Sequence, residues 1–407
     1  MRILHTSDWH LGKNLEGYSR MDEQEAFLKD FIGIVEENHI DLIIVAGDIY
    51  DSYNPPARAE KMFYDTLKKL SSGGKRMTLI IAGNHDNPDR LVAAGPLAKE
   101  HGIIMIGTPK TIVSPGKYGD HTVVDSGNGY VEIEINGERA VILTLPYPSE
   151  KRLNEVLYDE MDTEIKKVQS YNDRIKSIFD NLSKNYRDDT INLVVSHLFT
   201  IGSQEGGSER NVQLGGSFIV DGSCFPEKAQ YVALGHIHKP QIVPGTNGIV
   251  RYSGSPLQYN KKEINFKKKC FIVDVKPCEQ CSVEEIEFKI YKPIEIWKCK
   301  SVEEAIKKCK INKDRNCFVY IEIMTDTYIG EEAIKLMKTN KKDIIEIVPK
   351  IVGENVDNID IGSFSEKPFE EIFKEFYFKE RKVEPQQEVV DTLLSIMNGG
   401  EEENETN

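Results

Sequence analysis

No apolar run in this 407-residue sequence approaches the roughly 20 residues that a membrane-spanning helix needs. No signal-peptide core precedes the first strand-like stretch, RILHTSD. Cysteine is sparse: the seven are odd in number and scattered, which argues against a disulfide framework and for a reducing compartment. The expected location is therefore the cytoplasm. A positive balance is missing as well. The net charge of −14 opposes a nucleic-acid partner in bulk, although local patches and bound cations decide phosphate binding. No internal repeat is visible. What remains is a soluble globular profile, 39% hydrophobic and 29% charged, in a chain long enough for two or three domains.

From residue 1 to about 270, short apolar runs alternate with amphipathic helical stretches, an α/β pattern. EQEAFLKDFIGIVEEN places Phe27, Phe31, Ile34 and Val35 on one face, and ARAEKMFYDTLKKL does the same with Met62, Phe63, Thr66, Leu67 and Leu70. A longer helical pattern over 149–185 carries Leu153, Val156, Leu157, Met161, Ile165 and Val168. After Lys269 the texture changes to alternating apolar and charged residues, as in half-exposed strands, with a helix opening at Ser301 and Glu304 in capping-box spacing. The spacing predicts a separate small α+β domain over 277–350. Two further amphipathic helices follow, FEEIFKEFYF and EVVDTLLSIM, and then an acidic end, EEENETN, whose composition predicts disorder.

Ligand-type residues gather where the apolar runs stop. RILHTSDWH ends in Asp8 and His10, DLIIVAGDIYD in Asp48 and Asp51, and TLIIAGNHD in Asn84, His85 and Asp86. NLVVSH supplies His197, and YVALGHIH supplies His236 and His238. Residues at i and i+2 of an extended chain point the same way. In open α/β folds ligands bind beyond the carboxyl ends of strands, so the five loops can converge. A lone His or NHD is more often a satisfied core residue or an Asx-turn; five such coincidences at strand ends are not. Asp8, His10, Asp48, Asn84, His197, His236 and His238 are too many donors for one tetrahedral site and suit two cations with a shared bridge. Oxygen and nitrogen donors without thiolate favour Mn²⁺, Fe or Zn²⁺, and two such ions serve in-line displacement at a phosphoester.

D-x-H, G-D-x-x-D, G-N-H-D, a lone His and G-H-x-H, in that order, resemble the signature of the calcineurin-like metallophosphoesterases. Flanking phrases such as HTSDWHLGK, GDIYDSYNPP, SERNVQLGGSFIVDGSCF and RYSGSPLQYN narrow the resemblance to the DNA nucleases of that family that work with a coiled-coil ATPase. The resemblance implies an α/β fold, a β-sandwich flanked by helices, over residues 1–276, a small α+β capping domain over 277–350, and C-terminal helices over 351–407. It implies two divalent ions, Mn²⁺ above all, the first on Asp8, His10 and His238 and the second on Asn84, His197 and His236, with Asp48 bridging. His85 would stand at the scissile phosphate. Asp51 occupies a position where archaeal and eukaryotic relatives carry histidine, and is expected to hold the His85 ring through its carboxylate. The implied activity is exonuclease on duplex ends and endonuclease on single strands and hairpins, in DNA repair and recombination. The implied partners are DNA, a second copy of the chain, and the coiled-coil ATPase. The last is gripped by the C-terminal helices, where Phe369, Ile372, Phe373, Phe376 and Tyr377 make an apolar stripe.

Other readings compete. A nucleotide or phosphoprotein phosphatase can use the same site, and a DNA-end tether would not need it. The run Lys261, Lys262, Lys267, Lys268 and Lys269 suits either a phosphate backbone or a solvated loop. Cys278 and Cys281 form a C-x-x-C without a second pair, and read as two free thiols.

Overall fold

Adjacent residues of the strand Arg2–Thr6 face opposite ways, yet Ile3 and Leu4 are both fully buried. A strand covered on both faces lies between two layers. Its neighbours Leu42–Ala46 and Met77–Ile81 are accordingly unbroken apolar runs. In the computed structural model, which describes residues 1–153, 155, 164–209, 219–325, 329–351 and 390, two sheets pack face to face with helices outside each.

The first sheet runs in spatial order Ser282–Glu287, Lys269–Asp274, Arg2–Thr6, Leu42–Ala46, Met77–Ile81 and Ile103–Ile106. The last four are mutually parallel. The second sheet has eight strands, with Glu138–Leu145, Ile191–His197, Tyr231–Gly235 and Val250–Tyr252 parallel at its centre. Ile3, Leu42, Ile44 and Leu79 of the first sheet meet Ile133, Ile142, Leu193 and Tyr231 of the second. On the outer face of the first sheet, Leu4, Ile43, Val45 and Ile80 bury Phe27, Phe31 and Val35 of Met21–Glu37. The same layer takes Met62, Phe63 and Leu67 of Ala57–Leu70. The stripes expected on both helices are the buried ones, apart from half-buried Ile34.

The second sheet is covered by Glu164–Leu182, which turns Tyr171, Ile175, Phe179 and Leu182 inward. Of the longer stripe expected there, Leu153 is buried, Val168 is half-buried, and Val156, Leu157, Met161 and the side chain of Ile165 lie outside the described residues.

A smaller layer pairs the strands Ile294–Cys299, Phe318–Thr325 and Ile344–Ile351 with the helices Val302–Ile311 and Glu331–Asn340. Its own core contains Trp297, Cys309, Ile321 and Met337. Ser301 caps the first of these helices, accepting from the Glu304 N–H at 3.2 Å. Leu15, Ile294, Phe318 and Tyr320 join the layer to the loop after the first strand, and Tyr320 donates to Glu16 at 2.7 Å. The strand Ser282–Glu287, expected with the small domain over 277–350, is instead zipped antiparallel onto Lys269–Asp274. Its alternating glutamates explain this, because Glu285 and Glu287 pair with Lys269 and Lys267 of that stretch. The α+β layer therefore begins at Ile294.

Residues 1–324 and 328–349 make one compact unit; 325–327 and 350–407 make a second, nearly all of it outside the described residues. The apolar stripe Phe369, Ile372, Phe373, Phe376 and Tyr377 is among those outside.

Candidate metal centre and active site

Parallel strands end on the same edge, so Arg2–Thr6, Leu42–Ala46 and Met77–Ile81 deliver their loops together, as do Ile191–His197 and Tyr231–Gly235. His197 Nδ1 lies 2.9 Å from the Ala46 carbonyl oxygen and ties the two edges to each other. Beyond the strands, the loop of residues 8–11 stays paired with 47–51 through Asp8 N–H to Gly47 O at 3.0 Å and His10 N–H to Asp48 O at 3.0 Å. In each D-x-H or H-x-H pair the middle residue is an anchor. Trp9 is fully buried among Phe27, Phe31 and Phe63, and Ile237 is fully buried against the second sheet.

The turns that aim these side chains are strained. Asp8, His10, Asp48 and His236 have φ of 53°, 46°, 51° and 102°. Left-handed backbone costs an L-residue roughly 1–2 kcal/mol, and such strain concentrates at functional sites. Gly83 is required for proximity: a Cβ there would fall on the Asp48 carboxylate.

Seven predicted donors converge in two groups. His10 Nε2 is 2.9 Å from His238 Nε2, and Asp8 completes that group. The Asn84 side-chain oxygen is 3.0 Å from both His197 Nε2 and His236 Nδ1. Asp48 Oδ2 stands between the groups, 3.5 Å from His10 Nε2 and 3.5 Å from His197 Nε2. Two donors on one divalent ion at about 2.1 Å each lie roughly 3.0–3.4 Å apart, so these spacings fit shared cations. The histidine pair argues the same way: two imidazole nitrogens facing each other in a buried site at 2.9 Å suit a common electrophile better than each other.

Electrostatics follow from burial. The Asp8 carboxyl is pushed up to about 6 by burial, against the pull of His197 and His238. Burial lowers His236 to about 3 and holds His10 low, so both imidazoles are neutral and their lone pairs available. His197 goes the other way: burial lowers it, the adjoining Asp48 carboxylate more than offsets this, and it rises to about 9. Its imidazolium then occupies the place of a cation, and metal binding must expel that proton. His238 is raised too, its burial more than offset by Glu263 and Glu209, so apparent divalent-metal affinity is expected to rise with pH between about pH 6.5 and 8.5, with protons released on binding. Calorimetry in buffers of differing ionisation enthalpy checks this; affinity flat over that range contradicts it.

His85, adjacent to Asn84, takes no place among the closest pairs. Its N–H donates to Asp48 Oδ1 at 2.9 Å, and its ring lies edge-on to His10 with centroids 4.6 Å apart. Its ring is held by Asp51, but not as expected. Nδ1 meets the Asp51 main-chain oxygen at 2.7 Å, whereas the Asp51 carboxylate is 3.7 Å away. That carboxylate accepts from Lys13 Nζ at 2.7 Å and faces His10 Nδ1 at 3.4 Å. The loop brings the carbonyl to His85 and swings the side chain to the other imidazole. Asp51→Ala should therefore weaken Mn²⁺ binding about 10–100-fold through His10, while kcat at saturating Mn²⁺ stays near the parent value. Metal titration beside steady-state kinetics distinguishes this from a loss of kcat at unchanged affinity.

Several residues around the donors support them in ways the sequence did not indicate. Asp86 accepts from the Gly83, Ile49 and Tyr50 N–H groups at 2.8, 3.1 and 2.9 Å, which locks two donor loops together. Gln24, on the first helix, donates to the His10 carbonyl at 2.8 Å. Behind His238 lie Ser208, whose hydroxyl is 2.5 Å from Nδ1, and Glu209, which accepts the His238 N–H at 2.8 Å. Glu263 and Lys268 form a fully buried ion pair at 2.5 Å there, and Lys268 also donates to the His238 carbonyl at 3.1 Å. Lys268 thus faces inward, while Lys261, Lys267 and Lys269 pair with Glu346, Glu287 and Glu285. Four of the five lysines of the run are therefore held in ion pairs. Cys278 and Cys281 are free thiols, and no cysteine joins a metal-type group among the described residues.

Residues 1–240 match the calcineurin-like phosphoesterase family. The chain belongs to that family. Among curated relatives of this calcineurin-like phosphoesterase is the SbcD component of the nuclease SbcCD from Bacillus subtilis, 38% identical over 99% of both chains. The protein of the same name in Staphylococcus epidermidis is 24% identical over 93% of this chain and 92% of its own. That of Rhodobacter capsulatus is 32% identical over 68% and 66%. The phosphoesterase likeness thus ends near the last donor, His238, and the whole-length likeness to the Bacillus subtilis protein runs through the small α+β layer as well.

Proposed function

We propose that this phosphoesterase is the metal-dependent DNA nuclease component of an SbcCD-type complex, cutting duplex ends as an exonuclease and single strands or hairpins as an endonuclease. The observation that carries the reading is the two-group donor cluster spanned by Asp48, with donor pairs near 3 Å at converging strand ends. Whole-length likeness to a protein named for nuclease activity supports it over a phosphatase or a tether.

Asp8, His10 and His238 would hold one divalent ion and Asn84, His197 and His236 a second, with the Asp48 carboxylate standing between the two groups. Such a pair supplies Lewis acidity to the phosphate and to the attacking water. The chain's residues do the rest. The Asp51 carbonyl accepts from His85 Nδ1, which fixes the ring and leaves Nε2, 4.0 Å from Asp48 Oδ2, toward the cluster. Nε2 is the atom that holds a proton against the scissile phosphate and passes it to the leaving oxygen. Gln24 and Asp86 keep the loops from relaxing as charge changes.

The partners are DNA ends and hairpins, the ATPase SbcC, and a second copy of this chain in a heterotetramer working in the cytoplasm. SbcC is gripped by the C-terminal segment 364–407, whose apolar stripe includes Phe369, Phe373 and Phe376. The reading is tested by giving the Mn²⁺-loaded protein a hairpin oligonucleotide and, separately, a small aryl phosphate monoester. Hairpin opening with negligible monoester turnover supports a nuclease; efficient monoester release with intact DNA replaces it by a phosphatase.

A further inference from the structure

Asn84 and His85 are neighbours in the chain with different tasks, so the pitch of one loop sets both. That loop is gripped from outside the strand ends. The Arg152 guanidinium donates through Nη1 to the Gly83 carbonyl at 2.8 Å and through Nη2 to the Asp86 carbonyl at 2.8 Å. The two carbonyls bracket Asn84 and His85. Arg152 reaches them across a sequence separation of more than 60 residues, from the segment that follows the strand Glu138–Leu145.

This segment is itself anchored. The Tyr147 N–H donates to the Ala82 carbonyl at 3.1 Å, the Tyr171 hydroxyl donates to the Pro148 carbonyl at 3.3 Å, and Leu153 is buried. The Tyr147 ring lies 5.6 Å from the guanidinium, 6.1 Å from the His236 ring in a stacked arrangement, and 6.2 Å from the His197 ring. One short stretch therefore gathers the Asn84–His85 loop, His197 and His236, all on the Asn84 side of the cluster.

From this geometry we infer that Arg152 is a positioning residue for the second half of the site, setting the Asn84 oxygen on its cation and the His85 ring on the phosphate together. The inference rests on the nuclease reading for the role of His85, but its metal arm does not. Arginine is suited to the task. Its planar fork offers two parallel N–H donors to two acceptors at a fixed spacing, which the point charge of lysine cannot match.

The test compares Arg152→Lys and Arg152→Ala in the full-length protein, with circular dichroism and a thermal melt to confirm folding. Mn²⁺ stoichiometry and affinity are read by electron paramagnetic resonance without DNA. Loss of an orienting partner typically weakens metal affinity or activity about 10–100-fold. Both variants should keep one tight Mn²⁺ and weaken the second by that amount, with kcat falling more than KM rises. Added guanidinium should restore part of the second Mn²⁺ in Arg152→Ala. Arg152→Lys is the decisive variant, since it keeps the charge and packing while losing the fork. Wild-type binding of both ions and wild-type kcat in Arg152→Lys overturn the inference, as does equal weakening of both ions. If the second ion weakens as expected and no DNA is cut even by the parent protein, it is the nuclease reading that fails, not the clamp.

Discussion

His85→Gln should lower kcat about 10²–10⁴-fold, the range for a positioned acid–base group, while both Mn²⁺ ions stay bound. The two halves of this result have separate causes. The donor groups close without His85: one pairs His10 with His238, the other centres on the Asn84 oxygen with His197 and His236. Removing an imidazole outside those contacts leaves the cations their ligands. Activity falls because the ring is buried, oriented by the Asp51 carbonyl at 2.7 Å, and turned with Nε2 toward the cluster. Glutamine can take the carbonyl bond but has no proton to give near neutral pH. Asp8→Ala is the contrast, since it removes an oxygen donor and should weaken one ion. Anomalous scattering from Mn²⁺ in crystals of each variant measures the first half, and single-turnover cleavage the second. Loss of a metal from His85→Gln, or wild-type cleavage by it, overturns the assignment.

Glu263→Ala should destabilise the metal-free protein by about 3–5 kcal/mol, the scale for breaking a buried ion pair from one side. Lys268, 2% exposed, would be left with the Ser255 hydroxyl at 2.7 Å, the His238 carbonyl at 3.1 Å and the Phe266 ring at 4.7 Å in place of its carboxylate. Burial raises the Glu263 carboxyl, but Lys268 and His238 more than offset it and hold the group well below the usual range. A depressed carboxyl contributes stability above its unfolded value of about 4.3. That contribution is lost as pH falls through the folded one. The variant's deficit should therefore be full at pH 7 and shrink in strong acid. The double replacement Glu263→Leu with Lys268→Met removes both charges and should recover much of the loss. Urea unfolding in a chelator checks stability apart from metal binding. A single variant as stable as the parent at pH 7 would show that the pair contributes little.

The sequence by itself determined the α/β class of residues 1 to about 270 and the candidate donors at its strand ends. Residues such as those of LIIVA and MTLII are apolar without a break because both faces are covered, and donors at strand ends follow from the shared edge of parallel strands. The inward faces of Met21–Glu37 and Ala57–Leu70 were legible for a similar local reason, helical period. The pairing of donors at i and i+2 in D-x-H and H-x-H was legible too, whereas the left-handed turns at Asp8, His10 and His236 that aim them were not.

Only the tertiary structure decided what depends on distance in space. Nothing local says whether Asp51 offers His85 its carboxylate or its carbonyl; the outcome rests on Lys13 and His10 competing for the side chain. Nor could local pattern separate Lys268 from its neighbours in a lysine run. Its partner Glu263 is five residues away, but the pocket that buries them is closed by Ser255 and by His238, thirty residues upstream. Arg152 and Gln24 read as ordinary helix residues, because a hydrogen bond to a remote carbonyl leaves no mark on residue type or period. Strand ends are written in the chain; the contacts that hold their loops in place arise only when residues distant in sequence are packed together.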